Sequence, residues 1–111
     1  MEIIKGSPAS PGRVSGRIKV IKNYNDIFVI ELGDIMVAEG IHPDMSPVCL
    51  KVKGIITQEG SILQHACIIA REFHIPCVVG VNNCLDIFKN GEIIELDGSS
   101  GTIVKNIRQQ N

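Results

Sequence analysis

Between Gly54 and Val81 the chain reads GIITQEGSILQHACIIAREFHIPCVVGV, and no other stretch narrows the choice of fold so far. A short apolar run ends in a glycine turn, an apolar-periodic segment follows, a proline stops it, and a second apolar run begins. The pattern predicts a strand, a turn, a helix from Gln64 to about Phe73 ended by Pro76, and a further buried strand over IPCVVGV. With His65 set to zero and about 100° per residue, Ala66, Ile69, Ala70 and Phe73 fall near 100°, 40°, 140° and 80°. Their centre lies near 90°, which puts His65 on the rim of the buried stripe. Gln64 and Arg71 fall on the wet side.

The rest of the chain alternates in the same way. GSPASPG (Gly6 to Gly12) has two prolines and two glycines in seven residues and reads as a rigid loop. GRIKVIK has the period of a half-buried strand, and GDIMVAEG is a short apolar run between turns. HPDMSPVCLKVK predicts a short helix interrupted by Pro47, and NCLDIF one helical turn. Asn90-Gly91 is a hairpin signal, and Asp97-Gly98 precedes a last strand. The expectation is an α/β chain of six or seven short strands in a mixed sheet with two or three helices. At 111 residues it forms one domain over residues 1–111.

Composition excludes several classes of function. The formal charge of −1 gives no general attraction to nucleic acid or anionic membrane. No apolar run approaches the roughly 20 residues of a membrane span, and MEIIKGSPAS is no signal peptide, so a cytoplasmic protein is expected. Cys49, Cys67, Cys77 and Cys84 form no CxxC pair or zinc-like ladder. They are read as reduced core residues, with a disulfide or metal role as the alternative. The three histidines are scattered without an i, i+4 pair, so no metal site is expected.

His65 sits where the first helical N–H groups lack partners and the helix dipole favours an anion. A neutral imidazole is also a competent nucleophile. A histidine here can accept a phosphoryl group and have the new charge met by backbone donors, with Gly60 and Ser61 in the preceding turn as further phosphate-binding positions. Residue type alone equally allows a polar helix start with no chemistry.

Gly60-Ser61, the spacer Ile62-Leu63-Gln64, His65, ACIIARE and IPCVVG together resemble the swivelling phosphohistidine domain of phosphoenolpyruvate-utilising enzymes. That family includes phosphoenolpyruvate synthase, pyruvate phosphate dikinase, Enzyme I of the sugar phosphotransferase system and rifampicin phosphotransferases. The resemblance extends through GSPASPGRVSGRIKVI, GDIMVAEGIHPDMSP and KNGEIIELDGSSGTIV. It implies a single swivelling β/β/α domain whose histidine, here His65, carries a phosphoryl group between two sites. It further implies that the domain binds no cofactor of its own. Mg²⁺ and ATP or phosphoenolpyruvate belong to an ATP-grasp nucleotide-binding domain or a phosphoenolpyruvate/pyruvate-binding domain, expected on separate chains. Apolar surface left by such neighbours makes a homo-oligomer a further candidate.

The chain departs from the family pattern at three places. Ser61 stands where a second glycine is usual. Leu63 and Gln64 replace the usual Thr or Ser, the hydroxyl through which dikinases can be regulated, although Gln64 can donate to phosphate. His74 replaces a helix-end glycine and is expected in a left-handed conformation. These departures keep a second reading open, a docking or regulatory module without turnover, and a third, a fragment of a larger enzyme. Among other residues, Arg71 is read as a structural ion pair or stem packing, with partner contact as the alternative. Ile68 either lies under a loop or docks a partner. His42 is a loop or cap residue, Thr57 supports the turn, and Glu59 is a solvated charge.

Overall fold

The long strand β3 (Arg13–Ile21) serves two half-sheets at once. The computed structural model describes residues 2–61 and 64–105, without the Asp44 side chain. Its other strands are β1 (Glu2–Lys5), β2 (Ser7–Ser10), β4 (Ile35–Ala38), β5 (Gly54–Thr57), β6 (Cys77–Val79), β7 (Ile93–Asp97) and β8 (Thr102–Lys105). They form one mixed sheet in the order β1-β8-β7-β3-β4-β5-β6-β2. Arg13 to Arg17 pair antiparallel with β7, whereas Ile18 to Ile21 pair parallel with β4. The sheet therefore turns over at mid-β3.

Side-chain alternation along the central strands separates two cores. Met36, Ala38, Ile55, Cys77 and Val79 face a helical layer. That layer comprises two 3-10 helices, Tyr24–Val29 and Pro43–Leu50, and α1 (His65–Glu72). Ile35, Val37, Ile56 and Val78 point the other way, onto Ile94, Leu96 and Ile103 of the second half-sheet, with Cys84 and Phe88 from the short helix α2 (Cys84–Ile87) and its cap. The result is the expected β/β/α layering. All four cysteines are free and buried within it. Among the described residues no helix is long and apolar enough to cross a membrane.

The N-terminal segment closes both halves. β1 pairs with β8 and β2 with β6, and Gly6 lies between them. A Cβ on Gly6 would come within 2.6 Å of Val79 O and 2.7 Å of Val78 Cγ1, so only glycine lets the segment cross there.

Three sequence expectations need correction. GSPASPG is not a loop, since Ser7–Ser10 is a strand. It lies at the sheet edge, and its register shifts between Pro8 and Ser10, which lets the chain accept a residue that cannot donate to the ladder. Asn90-Gly91 makes a turn but no hairpin, because α2 precedes it. Asn90 Oδ1 instead accepts the Val20 N–H at 2.6 Å. The hairpin belongs to β7 and β8. Its Asp97 carboxylate accepts the N–H groups of Ser99 and Ser100, and the Ser99 bond chiefly lowers its pKa. Finally, Phe73 is not in the buried stripe of α1. It stands at the helix end, 46% exposed, and Ala66, Cys67, Ile69 and Ala70 do the packing.

His74 has φ 58°, the left-handed conformation expected of it, as the chain turns from α1 into β6. His74→Gly relieves that backbone and is expected to stabilise the protein by about 1 kcal/mol, read as a higher denaturant midpoint.

Candidate functional site

The loops after β4 and β5, at the carboxyl ends of parallel strands, build the site. Past β5 the ladder runs on for one turn, with Gln58 N–H donating to Ala38 O at 3.0 Å and Glu59 N–H to Glu39 O at 2.9 Å. Thr57 is fully buried and its hydroxyl donates to Glu59 O at 2.8 Å, the turn support expected of it. Gly80 N–H reaches the same carbonyl at 3.1 Å. The turn is thereby pinned to two neighbouring strands before the chain reaches α1.

His65 is the first residue of α1 and is half-buried, so its ring is held yet reachable. The N–H groups of Cys67 and Ile68 both donate to Gln64 O, at 3.1 and 3.4 Å. Those of His65 and Ala66 have no acceptor among the described residues, which leaves the helix head electropositive beside the ring. Ring atom Nε2 lies 3.1 Å from Ser46 Oγ on the facing Pro43–Leu50 helix. That hydroxyl also lies 2.6 Å from Pro43 O. A hydroxyl has one proton, and the carbonyl can only accept. The proton therefore goes to Pro43 O and Ser46 accepts from the ring N–H at Nε2; in the neutral ring the other nitrogen then keeps its lone pair.

The structure gathers Gly60, Ser61, Gln64 and His65 in one turn. A Cβ on Gly60 would make ordinary contact with Gly80 Cα at 3.5 Å. Glycine is thus not demanded by backbone strain here; it leaves the turn bare. Both Gln64 amide protons are spent inside the protein, on Glu59 O and Ser61 O, each at 2.8 Å. Gln64 staples the turn, and a phosphate would have to compete for one of those protons. Leu63 lies outside the described residues.

Arg71 Nε donates to Ala9 O at 2.9 Å and ties α1 to β2. Ile68 is 52% exposed, so no loop among the described residues buries it. Glu59 is exposed beside Gly40, and His42 caps the Pro43–Leu50 helix as an exposed residue. An open cleft of about 720 Å³ lies next to the turn, lined among others by Lys22, Tyr24, Glu39, His42 and Glu59.

Sequence reasoning did not single out Ser46 or the thiols beneath the turn. Ser46 is 19 positions from His65 on another helix, and nothing in the local pattern couples them. Cys67 and Cys77 are closed to solvent in the same core. Burial pushes Cys49 up to about 11 and Cys84 up to about 12. Cys67 instead is lowered to about 7, chiefly by the hydrogen bond from Cys77. Arg71 assists, while burial and Glu59 oppose. Cys77 is raised well above its ordinary value because its proton is held by Cys67.

Residues 30–101 match the family model described as PEP-utilising enzyme, mobile domain. The chain is 42% identical over 101 residues to a probable phosphoenolpyruvate synthase of Methanothermobacter thermautotrophicus, covering 91% of this chain and 15% of that protein. It is 40% identical over 102 residues to a rifampicin phosphotransferase of Bacillus cereus, covering 92% and 12%. The solution structure of an Enzyme I protein superposes with a TM-score of 0.63 at 27% identity, covering 76% of this chain and 35% of that one. The chain thus spans only a small part of the curated relatives it matches.

Proposed function

The chain belongs to the mobile-domain family of PEP-utilising enzymes, and from that premise we propose that it is a phosphohistidine carrier with His65 as the acceptor. One observation carries the proposal: a half-buried imidazole at an electropositive helix head, with one nitrogen on Ser46 and the other free to attack. The free nitrogen attacks the phosphorus of a transferable phosphoryl group in line. The N–P bond forms as the bond to the donor's leaving oxygen breaks, and that oxygen departs with the electron pair. Positive charge developing on the ring is shared with Ser46 through the retained N–H. The N–H groups of His65 and Ala66 meet the phosphoryl oxygens. The reverse sequence delivers the group to an acceptor.

Donor and acceptor sites belong to domains outside these 111 residues, as the 12–15% share of the relatives' length suggests. An ATP-grasp domain or a phosphoenolpyruvate-binding domain is the proposed donor, with Mg²⁺ held there. Among the described residues no group of three or more His, Cys, Asp or Glu is placed to hold a metal. The test is to incubate the protein with separately prepared donor domains and labelled ATP or phosphoenolpyruvate. Acid-labile, base-stable label on the chain supports the carrier. Its persistent absence with several competent donors would falsify the carrier and favour a docking module.

Ser46 is a positioning residue in this scheme. Ser46→Ala is expected to slow labelling about tenfold, the worth of one charge-assisted hydrogen bond. Ser46→Thr keeps the hydroxyl and should label close to the wild-type rate. Equal slowing in both variants would point to packing alone.

A further inference from the structure

The carbonyl of Ser61 is the meeting point of three donors. The backbone N–H of Gln64 reaches it at 3.3 Å, the Gln64 side-chain amide at 2.8 Å and the thiol of Cys67 at 3.6 Å. Cys67 sits in the first turn of α1, two residues beyond His65, in the same core as Cys77 at the start of β6, whose thiol favours its ionised form. The Cys67 thiol thus links the buried face of α1 to the turn that leads into His65.

We propose that Cys67 is a positioning residue for phosphoryl acceptance, its S–H holding the Ser61 carbonyl so that turn and helix head keep one fixed relation. The inference rests on the carrier reading of His65. A thiol is a weak donor, but its loss here removes the one link from the buried face of α1 to that carbonyl among the contacts named above. The link also depends on protonation. As a thiol Cys67 donates to Ser61 O; as a thiolate it can only accept, so the link breaks. It then also places negative charge near the incoming phosphoryl group.

The groups facing Cys67 set where that change falls. Cys77 on β6 favours the thiolate, as does the cation of Arg71 on α1. Glu59 in the turn disfavours it, and Cys49 on the Pro43–Leu50 helix bears on Cys77. Because the Cys67 thiol is held below the ordinary thiol range, the link is present at the acid end and is lost as pH rises. Phosphoryl acceptance is therefore expected to fall as pH rises, over and above any effect common to all variants through His65.

The experiment measures label uptake from a competent donor for the wild type, Cys67→Ala and Cys67→Ser, between about pH 6 and about pH 8. Nuclear magnetic resonance of the Gln64 backbone amide follows the turn without any donor. Cys67→Ala should take label about two- to tenfold more slowly at the acid end. Cys67→Ser supplies a hydroxyl donor that does not ionise in this range. It should restore the rate there and lose the extra decline with pH. The Gln64 amide should shift with pH in the wild type and stay still in Cys67→Ser. The inference is overturned if folded Cys67→Ala labels like the wild type throughout, or if Cys67→Ser declines with pH as the wild type does. A wild type that no donor labels overturns the carrier reading and this inference together. The amide titration then shows separately whether the Cys67 link exists.

Discussion

His65→Ala is expected to remove phosphoryl acceptance altogether, with label on the chain falling by more than about a thousandfold. Neither of the other two histidines shares the geometry. His42 caps a different helix and His74 lies at the far end of α1. The fold should survive the change. The ring is half-buried, and the lost bond to Ser46 costs about 1 kcal/mol, which the higher helix propensity of alanine partly offsets. A denaturation midpoint close to the wild type, measured on the same preparation, separates lost chemistry from lost structure. Label that persists in His65→Ala would move the acceptor to another residue and end the proposal.

The largest expected effect on stability lies far from the chemistry, at Gly98. A Cβ there would collide with the backbone oxygen of Ser10 and come within 2.9 Å of Cys77 N. Both obstacles are main chain, and both belong to β2 and β6, paired neighbours in one half-sheet. Neither can yield as a flexible side chain would. Gly98→Ala is expected to destabilise the protein by about 3 kcal/mol or more, seen as a loss of cooperative unfolding or a sharply lower midpoint. Gly60→Ala provides the contrast, since its Cβ meets only Gly80 Cα at ordinary distance and should cost less than about 1 kcal/mol. Comparable losses at both positions would show that glycine flexibility, and not this close approach, decides the cost.

The stretch from β5 to β6 was readable residue by residue because each signal is local. The glycine turn, the apolar stripe of α1, the left-handed His74 and the proline stop all act within a few positions. The same holds for β4 and the one-turn α2. The Tyr24–Val29 helix went unread because six residues of 3-10 structure show little period, and its main signal is the Asn23–Asp26 capping box. β2 is hidden by Pro8 and the following Pro11, which argue for a loop until the neighbouring β6 is known. Phe73 falls outside the stripe because α1 ends at Glu72, one residue before it. At the site, His65, Gly60, Ser61 and Gln64 stood out as a cluster, but their hydrogen-bond partners did not. Ser46 and Cys77 reach the turn only through tertiary folding, across 19 and 10 positions from His65 and Cys67. Periodicity carries no information about such pairs.

β1 and β8 lie side by side and antiparallel, with Glu2 opposite Lys105. A polypeptide threaded through this domain would arrive and depart at neighbouring points on one rim. Two connecting segments rooted so close together would hold the domain from one side only, leaving the surfaces away from that rim untethered.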